Sequence, residues 1–304
     1  MYPKEITKKQ FSAWLAAALA APLAQTASAC SWPAALAVGG VCLLVCWAVG
    51  KYITQPDKWL VIVQCLWTCI VLSELLHWST YCWPTHKSQW AAPLILLLLA
   101  AWAVSGGKER AVRVGCVLIW PLVLLLGAVL LSGVPDIELK NLKPTWQMPD
   151  AHLIMVMLLP ALCSPGERKE NGRLLTGAML FALLTSVVTT GVLSPAVSSG
   201  MRSPVYELSR SLSLLGIAER FESLVAAAMT LGYFSLLTYL LSAQETAWKR
   251  QEKTWGTVAI SGVLFLTGLR IDSRLLAIGS ILLWVVLPVL CHWKNNFKKS
   301  EKTA

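Results

Sequence analysis

Long apolar runs separated by short polar or basic stretches set the pattern of this chain. The runs fall at about 11–29, 33–50, 59–78, 90–105, 114–133, 151–163, 174–193, 220–243, 255–269 and 275–293. Helices of this length and apolarity match a hydrocarbon core of about 30 Å. The expected fold is therefore an all-α integral membrane protein with ten transmembrane helices in one polytopic domain, 1–304. One stretch, 204–215, follows a different period. Val205, Leu208, Leu212 and Leu215 recur at helical three and four spacing, while Glu207, Ser209, Arg210, Ser211 and Ser213 take the other side. This predicts an amphipathic helix lying on a surface, with Pro204 in its first turn and Gly216 closing it. Glu219, Arg220 and Glu222 then open the eighth span.

Two of the ten runs are irregular, the first and the sixth. Pro22, in Ala20-Ala21-Pro22, removes a backbone donor near the middle of the first. The sixth has about 13 residues, or about 20 Å of helix, too short to span alone. Its non-helical approach, Pro144 to Asp150, is tolerable only where protein or water covers the backbone. Interrupted helices at corresponding places in two halves point to a transporter binding site. Each irregular run begins a block of five, and an odd block inverts its successor, so a LeuT-like 5+5 inverted repeat with broken helices one and six is expected. A simple kink at Pro22 and a re-entrant sixth segment remain the alternative. Ala20, Ala21, Pro22, Asp150 and His152 are the candidate ligand contacts at the breaks. Thr68 and Thr230, with Ser28 and Ser31, are candidate pocket hydroxyls, although such groups also bond their own helix backbone.

Composition sharpens the class. The 304 residues are 56% hydrophobic and 14% charged, with mean hydropathy +0.60, outside the range of soluble domains. The net charge of +10 resides in clusters between apolar runs, so the lipid bilayer explains it better than nucleic acid does. With the N-terminus cytoplasmic, 18 of the 26 lysines and arginines fall on the inner side and 8 on the outer. Both termini are thus expected in the cytoplasm. The apolar run after Lys4, Lys8 and Lys9 is too long for a signal core and is read as uncleaved. The nine cysteines lack zinc-site spacing and read as small buried hydrophobes. Glu74 and His77 share one face of the third run; close to the outer boundary they can snorkel, and a structural role is preferred to proton coupling. No nucleophile, phosphate-loop or metal motif is present. Neither an enzyme nor a cofactor is expected.

Pro204, Glu207, Leu208, Arg210, Gly216, Glu219, Arg220 and Glu222, in that order, resemble the signature of the spore germination permease family, the B subunits of spore germinant receptors. Further likeness lies in Ile6, Gln10 and Phe11, in Pro135-Asp136-Ile137-Glu138-Leu139, in Asn141 to Pro144, and in Leu159-Pro160. The resemblance implies a receptor in the inner spore membrane. Such a subunit binds a small germinant, commonly an amino acid, near the breaks in helices one and six and signals to partner A and C subunits. It assigns the 204–222 residues a structural or gating role. The chain departs from the family before helix six, where only Thr145 to Asp150 stand in place of a longer half-helix and a glycine-glutamate pair is missing. A free-standing amino acid carrier and a non-binding scaffold subunit are the other readings.

Overall fold

The computed structural model describes residues 6–52, 58–82, 90–145, 151–162, 172–211, 221–248 and 253–301, and every regular element among them is helical. The helices are α1 (Lys8–Ser28), α2 (Trp32–Tyr52), α3 (Lys58–Ser79), α4 (Ala91–Ser105), α5 (Lys108–Gly133), α6 (Ala151–Leu158) and α7 (Gly172–Leu193). Two short ones follow, α8 (Pro195–Gly200) and α9 (Pro204–Ser211), then α10 (Phe221–Trp248), α11 (Lys253–Leu266) and α12 (Ser273–Ile281). A π turn, Leu282–Val286, leads from α12 into α13 (Leu287–Glu301). Six spans are long and apolar enough to cross a membrane: α2, α3, α5, α7, α10 and the α12–α13 unit. The apolar helices α4, α6 with its 3-10 extension, and α11 are shorter. This is an all-α, multi-pass membrane protein.

The centre belongs to α1, which is less apolar than those six. Its entry is fixed by a capping box: Thr7 Oγ1 accepts from the Gln10 N–H at 3.3 Å while Gln10 Oε1 accepts from the Thr7 N–H at 3.0 Å. Fourteen of its 21 residues are buried, against α5, α7 and α10 on different sides. Its alanines let the neighbours approach closely. Gly115 of α5 leaves room for the Trp14 indole, and a methyl at Gly232 of α10 would collide with Ala21. Such contacts act through dispersion and interdigitation, since lipid removes most of the hydrophobic advantage of helix association.

The interruption expected at Ala20-Ala21-Pro22 is absent: α1 runs as one helix through Pro22. A single proline forfeits one backbone bond, here to the carbonyl four residues back, and the dense sheath around α1 holds the rest of the ladder. The sixth segment is short, as its length requires. After eight α-helical residues it tightens into a 3-10 turn over Leu159–Leu162, where Tyr239 of α10 donates to the Leu159 carbonyl at 3.1 Å.

We call the end where α1 and α3 finish the upper end. At the lower end the turn Gly106-Gly107, with Gly107 at φ +94°, feeds α5. There Lys108 lies over the Phe11 ring at 5.2 Å, so α1 and α5 rise together. At the upper end α9 is seated against α1, α5, α7 and α10. Val205 and Leu208 are buried as the periodicity requires, but so are Tyr206 and Ser209. More of the circumference is covered than in a helix resting on a surface. Gly216, Glu219, Arg220 and Asp150 lie outside the described residues.

Candidate functional site

The upper end gathers polar side chains from every part of the chain. Gln25, one turn before the end of α1, is fully buried. Its Oε1 accepts from the Tyr233 hydroxyl of α10 at 2.5 Å and from the Cys82 thiol at 3.5 Å. Its Nε2 donates to the carbonyls of Trp78 and Arg202 at 3.4 and 3.5 Å. One amide thus ties α1, α3, α10 and the approach to α9. Beside it, hydroxyls of α7 serve the carbonyls that the end of α1 leaves over: Ser186 donates to Cys30 O at 2.6 Å and Thr189 to Ser28 O at 3.2 Å.

A second cluster adjoins the first. Glu74 of α3 and His152 of α6 are both buried, with Glu74 Oε1 4.0 Å from His152 Nε2. Trp78, one turn beyond Glu74, packs against the His152 ring at 3.9 Å between centroids, with the planes inclined at 45°. His77 packs on Phe265 of α11 at 4.5 Å. Toward solvent, Tyr81 lies between two guanidinium groups: Arg270 donates to its hydroxyl at 2.6 Å, and Arg202 stacks on its ring at 4.9 Å. Glu74 is 6% exposed and does not snorkel to a boundary as its position in sequence had led us to expect.

The gating candidates form a separate unit. Arg210 Nη1 pairs with Glu207 at 3.1 Å on its own helix, and its Nε meets Glu222 of α10 at 3.4 Å. Arg210 is half exposed, so these pairs are weak individually, but they join α9 to α10. Beneath them, burial first and the Glu222 carboxylate second push the Tyr206 phenol above its usual range.

The candidate ligand contacts are scattered. Ala21 and Pro22 are buried in α1, with Ala20 partly so. Thr68 donates to Gln64 O at 2.7 Å and Thr230 to Ala226 O at 2.8 Å, each four residues back on its own helix. Those hydroxyls are satisfied locally, which was the alternative reading of them. Of the described candidates, His152 enters the upper polar cluster, and Ser28 borders it by donating to Gln25 O at 2.8 Å. The sequence reading missed Gln25, Trp78, Tyr81, Tyr233 and Arg270. A glutamine inside an otherwise apolar helix was the one available signal, because an unpaired amide cannot be left in hydrocarbon.

A lower polar joint also exists. Gln244 of α10 donates to Cys65 O of α3 at 3.1 Å and accepts from Thr257 of α11 at 2.6 Å. Gln64 of α3 donates to Leu283 O in the π turn at 2.8 Å, where a wider turn leaves a carbonyl to be met from outside. No protein-family model matches the chain, and no curated protein matches it significantly.

Proposed function

We propose that the chain is the permease-like B subunit of a spore germinant receptor, a ten-helix bundle of two inverted five-helix halves. It senses a small germinant, an amino acid by preference, and signals to A and C subunits in the inner spore membrane with both its termini in the cytoplasm. The observation that carries this reading is the seating of the signature stretch. Pro204 and Leu208 are buried, and Glu207, Arg210 and Glu222 are joined by ion pairs at the end of the bundle. The described residues of the family-like stretch, Glu207, Arg210 and Glu222, are thus linked between α9 and α10, where a partner subunit or a gate would read the state of the bundle.

The packing pattern supports the two-half architecture. Number the ten apolar segments by taking α10, α11 and α12–α13 as the eighth to tenth. The contact of segment one with five is then matched by six with ten, one with seven by six with two, and three with nine by eight with four. An inverted repeat requires pairs of this kind. Glycine and alanine at the closest contacts let the halves approach.

One observation favours the scaffold reading over ligand binding by this copy. The helix that would supply unwound carbonyls is continuous, and Ala21 is pressed against Gly232. Deletion in the parent spore former, followed by a germinant panel, separates the readings. Loss of response to one germinant supports a sensing subunit. Loss of response to all, with reduced A and C subunits, supports a scaffold. An unchanged panel in a strain lacking paralogues contradicts both.

A further inference from the structure

Glu74 is a carboxylate inside a span, Trp59–Cys82, and sits about 12 Å of helix below its upper end. An isolated ion at that depth is costly, by several kcal/mol even after relaxation. Among the described residues it pairs with His152, at 4.0 Å and also buried. With the imidazole neutral the pair carries a net charge of −1, one added proton makes it neutral, and a second would make it +1. Low dielectric favours the neutral state on both sides of that series.

The surroundings keep this state from being locked. His152 is the second residue of α6, so the amino-terminal end of that helix opposes an imidazolium and favours the carboxylate. The Ile271 amide and the Trp78 side chain also face the carboxylate, and Arg270 supplies a positive field from the exposed side. Among the described residues the other packed elements bring no further charge to this depth: Asp272 is exposed, and Asp150 lies outside those residues. α4 has no ionisable side chain, α11 has Lys253 at its opposite end, and Arg274 of α12 is exposed. α1 and α10 contribute Gln25 and Tyr233, which bond each other. His77 turns to Phe265, and among the described residues no three His, Cys, Asp or Glu side chains gather as a metal site.

We propose that Glu74 and His152 form a single-proton binding site that links the first half of the chain to the second. The proton comes from the aqueous phase at the upper end and is shared by the pair, either as carboxylic acid with neutral imidazole or as carboxylate with imidazolium. Its loss leaves one uncompensated negative charge, which draws Glu74 toward the Ile271 amide and Arg270 and frees the start of α6 from α3. Proton occupancy therefore sets how firmly α6 is held. This site is independent of whether the chain is a receptor, a carrier or a scaffold.

The test is a histidine NMR titration of the full chain in nanodiscs, with imidazoles isotope-labelled. The chain has four histidines, and the His152 resonance is assigned as the one missing from a His152→Gln sample, since His77 also lies against an aromatic ring. The expected result is that the shifts of this resonance pass through one pH-dependent step in the wild type and that Glu74→Gln removes or displaces that step, because the charge 4.0 Å from the ring changes with the shared proton. Glu74→Asp, which keeps the charge but withdraws it by one methylene, should displace it less. Because loss of the shared proton changes the charge beside the ring in either microstate, a His152 resonance with no pH-dependent step in the wild type overturns the proposal without recourse to any variant. An unchanged step in a folded Glu74→Gln protein overturns it equally.

Discussion

α1 contains a proline and α6 runs into one, and each packs on helices distant in sequence, yet they end up as different objects. α1 continues for 21 residues through Pro22. α6 has eight α-helical residues and tightens into a 3-10 turn containing Pro160. The difference lies in what surrounds the proline. Pro22 lies between Ala21 and Leu23 within the helix and has neighbours on several faces, so one missing bond is absorbed. Pro160 comes where the apolar segment is nearly finished, and a side chain from α10 has to satisfy the carbonyl before it. A proline in a span thus marks a weak point, and packing decides whether the helix breaks there.

The comparison is broken most severely by filling the space that keeps α1 straight. Gly232→Val sets a branched side chain against Ala21, backbone included, and overpacking of this kind costs about 1–3 kcal/mol or more. We expect loss of the monodisperse peak in size-exclusion chromatography of the solubilised protein. A folded variant of wild-type stability would show that α1 and α10 are free to separate.

Next in size is Gln25→Ala, which strands the Tyr233 hydroxyl and two carbonyls. A buried unsatisfied group costs about 1–3 kcal/mol. Thermal unfolding should fall markedly, and Tyr233→Phe combined with it should cost less than the sum of the two. Strict additivity would mean that the amide does not act as a joint.

For α6 the corresponding contact is Tyr239 to Leu159 O. Tyr239→Phe should lower stability by about 1 kcal/mol and increase hydrogen exchange of the amides in 159–162 before it affects α1. Equal exchange in α1 and α6 would remove the contrast between them.

The smallest effect is expected from Pro22→Ala. Because the helix is already continuous, the new N–H adds one backbone bond, and stability should change by less than about 1 kcal/mol, upward. Under the proposed germinant-sensing function, the dose–response of the variant should then match the wild type. A large change in sensitivity would mean that α1 opens at Pro22 in another state of the protein.

The apolar runs were legible because bilayer thickness imposes their length, and the polar stretches between them could go nowhere else. Thr7 and Gln10 marked the start of α1 by a local rule needing no tertiary knowledge. Continuity at Pro22 was hidden, since it depends on Trp14, Gly115, Ala21 and Gly232 meeting across more than a hundred residues of sequence. The polar upper end was hidden for the same reason. Glu74 and His152 are 78 positions apart, and only the folded bundle puts a carboxylate, an imidazole and an indole in contact. α9 was half legible: its period placed Val205 and Leu208 correctly, but the extra burial of Tyr206 and Ser209 comes from α1, α5 and α7 closing around it.

The central claim is that the ten segments alternate through the membrane around α1 as two inverted halves. Single cysteines on a background without native cysteines, labelled from one side with a membrane-impermeant maleimide, test it directly. Lys8, Ser105, Leu139 and Lys294 are all exposed positions. The account predicts that Lys8, Ser105 and Lys294 label from the same face and Leu139 from the other. Labelling of Lys8 and Lys294 from opposite faces, or of Ser105 and Leu139 from the same one, would contradict it.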